Sequence, residues 1–215
     1  MPLSVPCQIV SEADQIEGRL REHFGTTRGD LIQIVLMAVA ARRDSTEDDP
    51  ATAPGTLSYI YGTRALRSVF RAMKWQKHRK DGIEAVVSPD ARLQIIFQNV
   101  DLAAEQAHTP KAISGKKSAS QRLIETGQGD LFVSPNVTAI KLPGEHREIW
   151  YLCVSCDDLT GIRAELSRPL PVEDEQFVGF HERIFIVIKG QLEAPIVDLD
   201  DGMPEQHFEI NISRK

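Results

Sequence analysis

Ile83-Glu84-Ala85-Val86-Val87-Ser88-Pro89-Asp90-Ala91-Arg92-Leu93-Gln94-Ile95-Ile96-Phe97-Gln98 is the stretch at which the chain changes character. Two runs, Ile83 to Val87 and Arg92 to Gln98, flank a Ser-Pro-Asp-Ala turn, and Leu93, Ile95 and Phe97 alternate with Gln94, Ile96 and Gln98. Successive side chains of a strand point to opposite faces, so this alternation around a turn predicts a β-hairpin. The chain before it reads with helical period, and most of the chain after it reads as strand.

Upstream, Ser11-Glu12-Ala13-Asp14 has the form of a helix start, with Ser11 as the cap and a carboxylate three residues on. Ile16, Leu20 and Phe24 then supply one apolar stripe, and Gly25 a stop that tolerates the left-handed conformation. Thr27-Arg28-Gly29-Asp30 opens a second helix, Leu31 to Arg43, which is apolar around nearly its whole circumference and is the predicted centre of the amino-terminal core. Asp44 to Gly55 is acidic and punctuated by proline and glycine, which predicts an exposed loop. A third helix is expected from about Thr56 to Trp75, with Leu57, Tyr61, Ala65, Val69, Ala72 and Met73 facing the core.

Downstream, the chain turns polar and rich in Ser, Gly and Lys from Gln106 to Gly129, then β-rich. Strands are expected at Ile149 to Cys156, Ile162 to Leu166, Ile184 to Ile188 and around Phe208, Ile210 and Ile212, with Asp157 to Gly161 as a hairpin loop. The predicted class is α+β: three helices and a β-hairpin over 1–105, a basic linker or loop over 106–130, and a β-rich, mainly antiparallel part over 131–215. From Ser11 to Asn99 the order helix, helix, basic helix, hairpin resembles that of a winged helix, although a long acidic loop stands where that motif has a tight turn.

Composition narrows the classes of function. The chain has 215 residues, 41% hydrophobic and 26% charged, as ordinary folded proteins do. Its longest apolar run, Leu31 to Ala41, is far short of the ~20 residues a bilayer demands. Met1 to Pro6 lacks the basic start and apolar stretch of a secretory signal. Three cysteines are too few for a disulfide framework, so a cytoplasmic protein without membrane contact is expected.

The feature that points furthest toward function is basic. Arg64, Arg67, Arg71, Lys74 and His78 recur at spacings of three, four, three and four, with Lys77 beside them, and no carboxylate falls between Arg64 and Lys80. At about 100° per residue they would line one side of the third helix. Guanidinium groups one turn apart can each grip a phosphate, releasing counterions as they do so. Lys111, Lys116, Lys117 and Arg122 form a second carboxylate-free stretch that can follow a phosphate backbone.

Other constellations are weaker. Gly115-Lys116-Lys117-Ser118 departs from a P-loop, with Pro110 at the first glycine position and Lys117 at the hydroxyl position. Cys153 and Cys156 lie three apart on a predicted strand, so their sulfurs should diverge, and His181-Glu182-Arg183-Ile184-Phe185 lacks the second histidine of a zinc protease helix. Trp150 and Tyr151 suit either a core or an exposed aromatic platform. No catalytic residue, cofactor site or metal site is assigned.

Three readings remain open. The leading one is a non-enzymatic accessory protein that binds nucleic acid, DNA ahead of RNA, through the basic helix face. The second is a subunit of a larger assembly, docking an acidic protein partner, suggested by basic and acidic segments on one chain of net charge −6. The third is a metal-dependent nuclease or phosphodiesterase in which Asp101, Asp157, Asp158, Glu165 and Glu182 would hold Mg²⁺.

Overall fold

The computed structural model describes residues 7–113, 147–157, 160–173 and 176–192. Its helices begin and end for local reasons. Helix α1 spans Ala13–Phe24 and closes on Gly25, whose φ of 66° lets its N–H reach back to Arg21 and Leu20. Its first turn corrects the expected serine cap, because Glu12 occupies the cap position and no side chain bonds there. Helix α2, Arg28–Arg43, opens with a reciprocal box: Asp30 N–H donates to Thr27 Oγ1 at 3.2 Å, and Thr27 N–H donates to Asp30 Oδ2 at 2.9 Å. Helix α3 spans Ala53–Ala72, with a proline in its first turn.

Strand β1 is Gln8–Val10, ahead of the helices, and after them come β2 (Gln76–Lys80), β3 (Ile83–Val87), β4 (Leu93–Asn99), β5 (Glu148–Asp157), β6 (Gly161–Pro169), β7 (Val172–Glu173), β8 (Gln176–Phe177) and β9 (Phe180–Val187). Seven of the described strands form one sheet in the order β1, β9, β6, β5, β4, β3, β2. The β3–β4 hairpin forms as expected, and β5, β6 and β9 pair antiparallel in turn. Two pairings are parallel and distant in sequence: β4 with β5, and β1 with β9. A strand from before the helices and strands from after them therefore hydrogen-bond within a single sheet. The class is α+β, helices first and strands after.

All three helices cover one face of the sheet. Ile16, Leu20 and Phe24 from α1, Leu31, Ile34, Val35 and Ala38 from α2, and Leu66 and Phe70 from α3 pack on Ile95, Phe97, Trp150, Leu152, Leu166 and Ile184. Phe24 meets Trp150 edge to face with centroids 4.9 Å apart. Polar ties fix α1 and α2 over the far end of the sheet, where Arg19 forks onto Glu182 at 2.7 and 2.8 Å and Arg28 Nε donates to the carbonyl of Ile186 at 2.8 Å. That fork raises the pKa of Arg19 further, against the opposing pull of its partial burial.

The opposite face carries Ala85, Ile96, Tyr151 and Cys153 under Val100, Ala103, Phe177 and Phe180. Cys156 instead packs toward the helices, so the two cysteines diverge as their spacing requires. Trp150 and Tyr151 are both buried, on opposite faces, and neither forms an exposed platform. No helix among the described residues is long and apolar enough to cross a membrane.

Candidate functional site

The buried side of α3 differs from the stripe its sequence suggests. Ser58, Gly62, Thr63, Ala65, Leu66 and Phe70 face inward, while Tyr61 and Val69 are half-buried and Ala72 is exposed. Gly62 explains the rotation. A Cβ there would stand 2.4 Å from the ring of Phe97, so the missing side chain lets α3 settle directly on β4. Asn99 then ties the first turn down, accepting from Ser58 Oγ at 2.8 Å and donating to the carbonyl of Gly55 at 2.9 Å.

This seating leaves Ile60, Arg64, Arg67 and Arg71 on the outer stripe, three to four residues apart. The stripe ends sooner than the basic run does. The helix stops at Ala72, Lys74 takes a φ of 67°, and the buried Trp75 donates its N–H to the carbonyl of Phe70 at 3.0 Å. Its indole packs edge to face on Phe70, with centroids 4.7 Å apart, and anchors the departure. Lys77 and His78 consequently belong to the edge strand β2, not to a continued helix.

The register places those two on different sides. Lys77 is paired with Val86, of the helix-side core, and His78 with Ala85, of the opposite face. His78 is thus separated by the sheet from the arginines it was expected to join. Desolvation lowers its pKa, and the nearby charges of Arg147 and Lys80 lower it further, which keeps the ring neutral. Lys111 is exposed on the segment that crosses the second face, and Lys116, Lys117 and Arg122 lie outside the described residues.

Arg64, Arg67 and Arg71 come together in one cleft of about 500 Å³, with Ser68 and Thr63 between them. Tyr59, Ile60 and Glu84 complete its walls. Arg64 lies over the ring of Tyr61, 4.5 Å from its centroid, a contact that holds the guanidinium without neutralising it. Arg67 is ion-paired with Glu84, which also accepts from Arg79 Nε at 3.0 Å. Arg67 Nε is buried and has no acceptor among the described residues. Tyr59 is at the surface but partly covered, and that partial burial pushes the pKa of its phenol up, helped by the charge of Glu84, so it stays a neutral hydrogen-bond donor.

Three guanidiniums therefore share the cleft with one carboxylate. Arg64 and Arg71 have no carboxylate partner among the described residues, and the acidic Asp44 to Asp49 loop supplies none to this face. Sequence reading missed Tyr59, Ile60, Ser68 and Glu84. The available signals were Ile60, one turn before Arg64, and Asp81-Gly82, the turn that folds Glu84 back beside α3.

Four of the five carboxylates considered as Mg²⁺ ligands hold other partners. Glu165, fully buried, accepts from Arg183 at 3.0 and 2.6 Å, from Ser167 Oγ at 2.7 Å and from Ala104 N–H at 2.6 Å. Glu182 holds Arg19, Asp157 closes the turn to Thr160, and Asp101 accepts from Lys111 N–H at 2.7 Å and pairs with His108. Asp158 lies outside the described residues. No group of three or more His, Cys, Asp or Glu placed to hold a metal occurs among the described residues.

Comparison of the chain with protein-family models, with curated proteins and with solved structures finds no match.

Proposed function

We propose that the protein binds nucleic acid, DNA ahead of RNA, through the outer face of α3, and that it does so as an accessory protein without catalysis. One observation carries this reading: Arg64, Arg67 and Arg71 converge on a single surface cleft to which the described residues bring one carboxylate, Glu84. Along a helix these residues rise about 4.5 and 6 Å from one to the next, a spacing at which each fork can meet a separate phosphate oxygen. Lys77, on the helix side of β2, extends the positive surface toward the sheet edge.

The reading is tested by titrating the protein onto labelled DNA and RNA of one sequence at a series of salt concentrations. Arg67 is already paired with Glu84, so two phosphates neutralised by Arg64 and Arg71 predict a log–log salt slope between about −1.4 and −1.8. Affinity without salt dependence, or none for either polymer, contradicts it.

A second reading, a subunit that docks an acidic protein, draws on Leu36 and Met37 of α2 and on Tyr59 and Ile60 of α3, all exposed apolar side chains. Stoichiometric co-purification with such a partner, lost on Leu36→Ser with Met37→Ser, would favour it over nucleic acid.

A further inference from the structure

We infer that the cleft takes a single nucleoside phosphate unit, so that the nucleic acid is single-stranded where it meets α3; this rests on the nucleic-acid reading and adds the form of the ligand. A helix that reads duplex DNA must enter a groove about 12 Å wide and present its basic face as a ridge. Here the basic face is one wall of a hollow. Glu84 of β3 and Arg79 of β2 stand beside Arg67, so the end of the sheet flanks the helix.

The hollow is open to solvent, but its volume is that of a small-molecule site. Its volume of about 500 Å³ lies within the ~300 to 1,000 Å³ typical of small-molecule sites. Tyr59 and Ile60 give it an aromatic ring and an apolar flank at the end nearest the helix start, where both side chains are exposed. A smooth contact with phosphates has no use for such a wall, whereas an unstacked base does.

The polar groups divide accordingly. Arg64, held over Tyr61, and Arg71 have no carboxylate partner among the described residues and offer their forks to phosphate oxygens, and the Ser68 hydroxyl sits between them in sequence. Arg67 is held in place by Glu84 and still has a buried Nε donor without an acceptor. Glu84, with lone pairs beyond those used by Arg67 and Arg79, can accept from a base edge. Tyr59 stacks the base, the free arginines take its phosphate, and the Arg67–Glu84 pair faces the base edge.

The experiment compares a mixed-sequence strand of about 12 nucleotides, the same strand as a blunt duplex, and the same strand with its bases removed, each followed by fluorescence anisotropy. The intact single strand is expected to bind more tightly than the other two. Tyr59→Ala should weaken it by about 5- to 100-fold, toward the base-free strand, while Tyr59→Phe holds affinity. Both variants should remain folded, as circular dichroism and melting would report, since Tyr59 lies at the surface and is only partly buried. Equal binding of intact and base-free strands, or a preference for the duplex, overturns this inference and leaves the polyanion reading standing. Failure of all three probes to bind removes both.

Discussion

Arg67 of α3 and Glu84 of β3 form an ion pair in the wall of the basic cleft, and Arg79 of β2 shares the same carboxylate. That single carboxylate offsets much of the charge the arginines bring. Glu84→Gln keeps the shape and removes the negative charge, which in a water-filled cleft is worth on the order of 1 kcal/mol to an anion about 4 Å away. Affinity for a strand without bases, which meets only the charge, should rise by about 5-fold at low salt, and the gain should shrink as salt is added. Anisotropy titrations of parent and variant at two salt concentrations measure this, and equal affinities would place the ligand away from Glu84.

Gly62 lets α3 lie against Phe97, with room for no side chain between them. Gly62→Ala gains helix propensity but forces ring or helix to move, and overpacking of this kind costs about 1 to 3 kcal/mol. Denaturant unfolding should show a net loss of stability. A neutral or stabilising result would mean that the helix sits further from β4.

Arg183 and Glu165 are buried together and hold the segment crossing the second face, since Ala104 N–H donates to Glu165 and the carbonyl of His108 accepts from Arg183 at 3.0 Å. Arg183→Met strands the carboxylate without its partner and should cost about 3 to 5 kcal/mol. The double change Arg183→Met with Glu165→Met should recover part of that loss. Both follow from chemical denaturation, and a single variant as stable as the parent would contradict the pairing.

The capping box of α2 gives a pH dependence. Burial alone would raise the Asp30 pKa, but hydrogen bonds from the Thr27 side chain and backbone and from Thr26 outweigh it and hold the carboxyl below its usual range. A depressed folded-state pKa means stabilisation present above the unfolded value and lost as pH falls through the folded one. Asp30→Ala should therefore cost about 0.5 to 1.5 kcal/mol near neutrality through its lost hydrogen bonds, with the gap to the parent narrowing in acid below the ordinary aspartate pKa. Urea midpoints across that range measure it, and a constant gap would argue against the box.

Much of the fold was legible where signals are local. Gly25 and the Thr27–Asp30 box mark helix ends, and the alternation of Leu93 to Gln98 marks a strand. What escaped depends on distant partners or on side chains that mislead. Strand β1 has three residues and exists through its parallel pairing with β9, far along the chain. Strand β2, Gln76–Lys80, has no apolar residue, and its burial pattern shows why: it is an exposed edge whose charges discourage further pairing. The end of α3 is set by Trp75 packing on Phe70 and by a left-handed Lys74, a conformation no glycine announced.

The site divides along the same line. Arg64, Arg67 and Arg71 follow from helical spacing, which survives any shift in helix bounds. Lys74, Lys77 and His78 relied on the helix continuing, and the hydrophobic pull of Trp75 ended it first. Glu84 joins the arginines through the Asp81-Gly82 turn, where both residues take positive φ.

Charge reversal at the two cleft arginines without a carboxylate partner among the described residues tests the central claim most directly. Arg64→Glu with Arg71→Glu leaves the Arg67–Glu84 pair and the buried face of α3 in place, so the fold should persist, as circular dichroism and melting would report. Salt-dependent binding to labelled single-stranded DNA should then be lost. Retention of parental affinity and salt slope in the correctly folded double variant would contradict a nucleic-acid interface on α3.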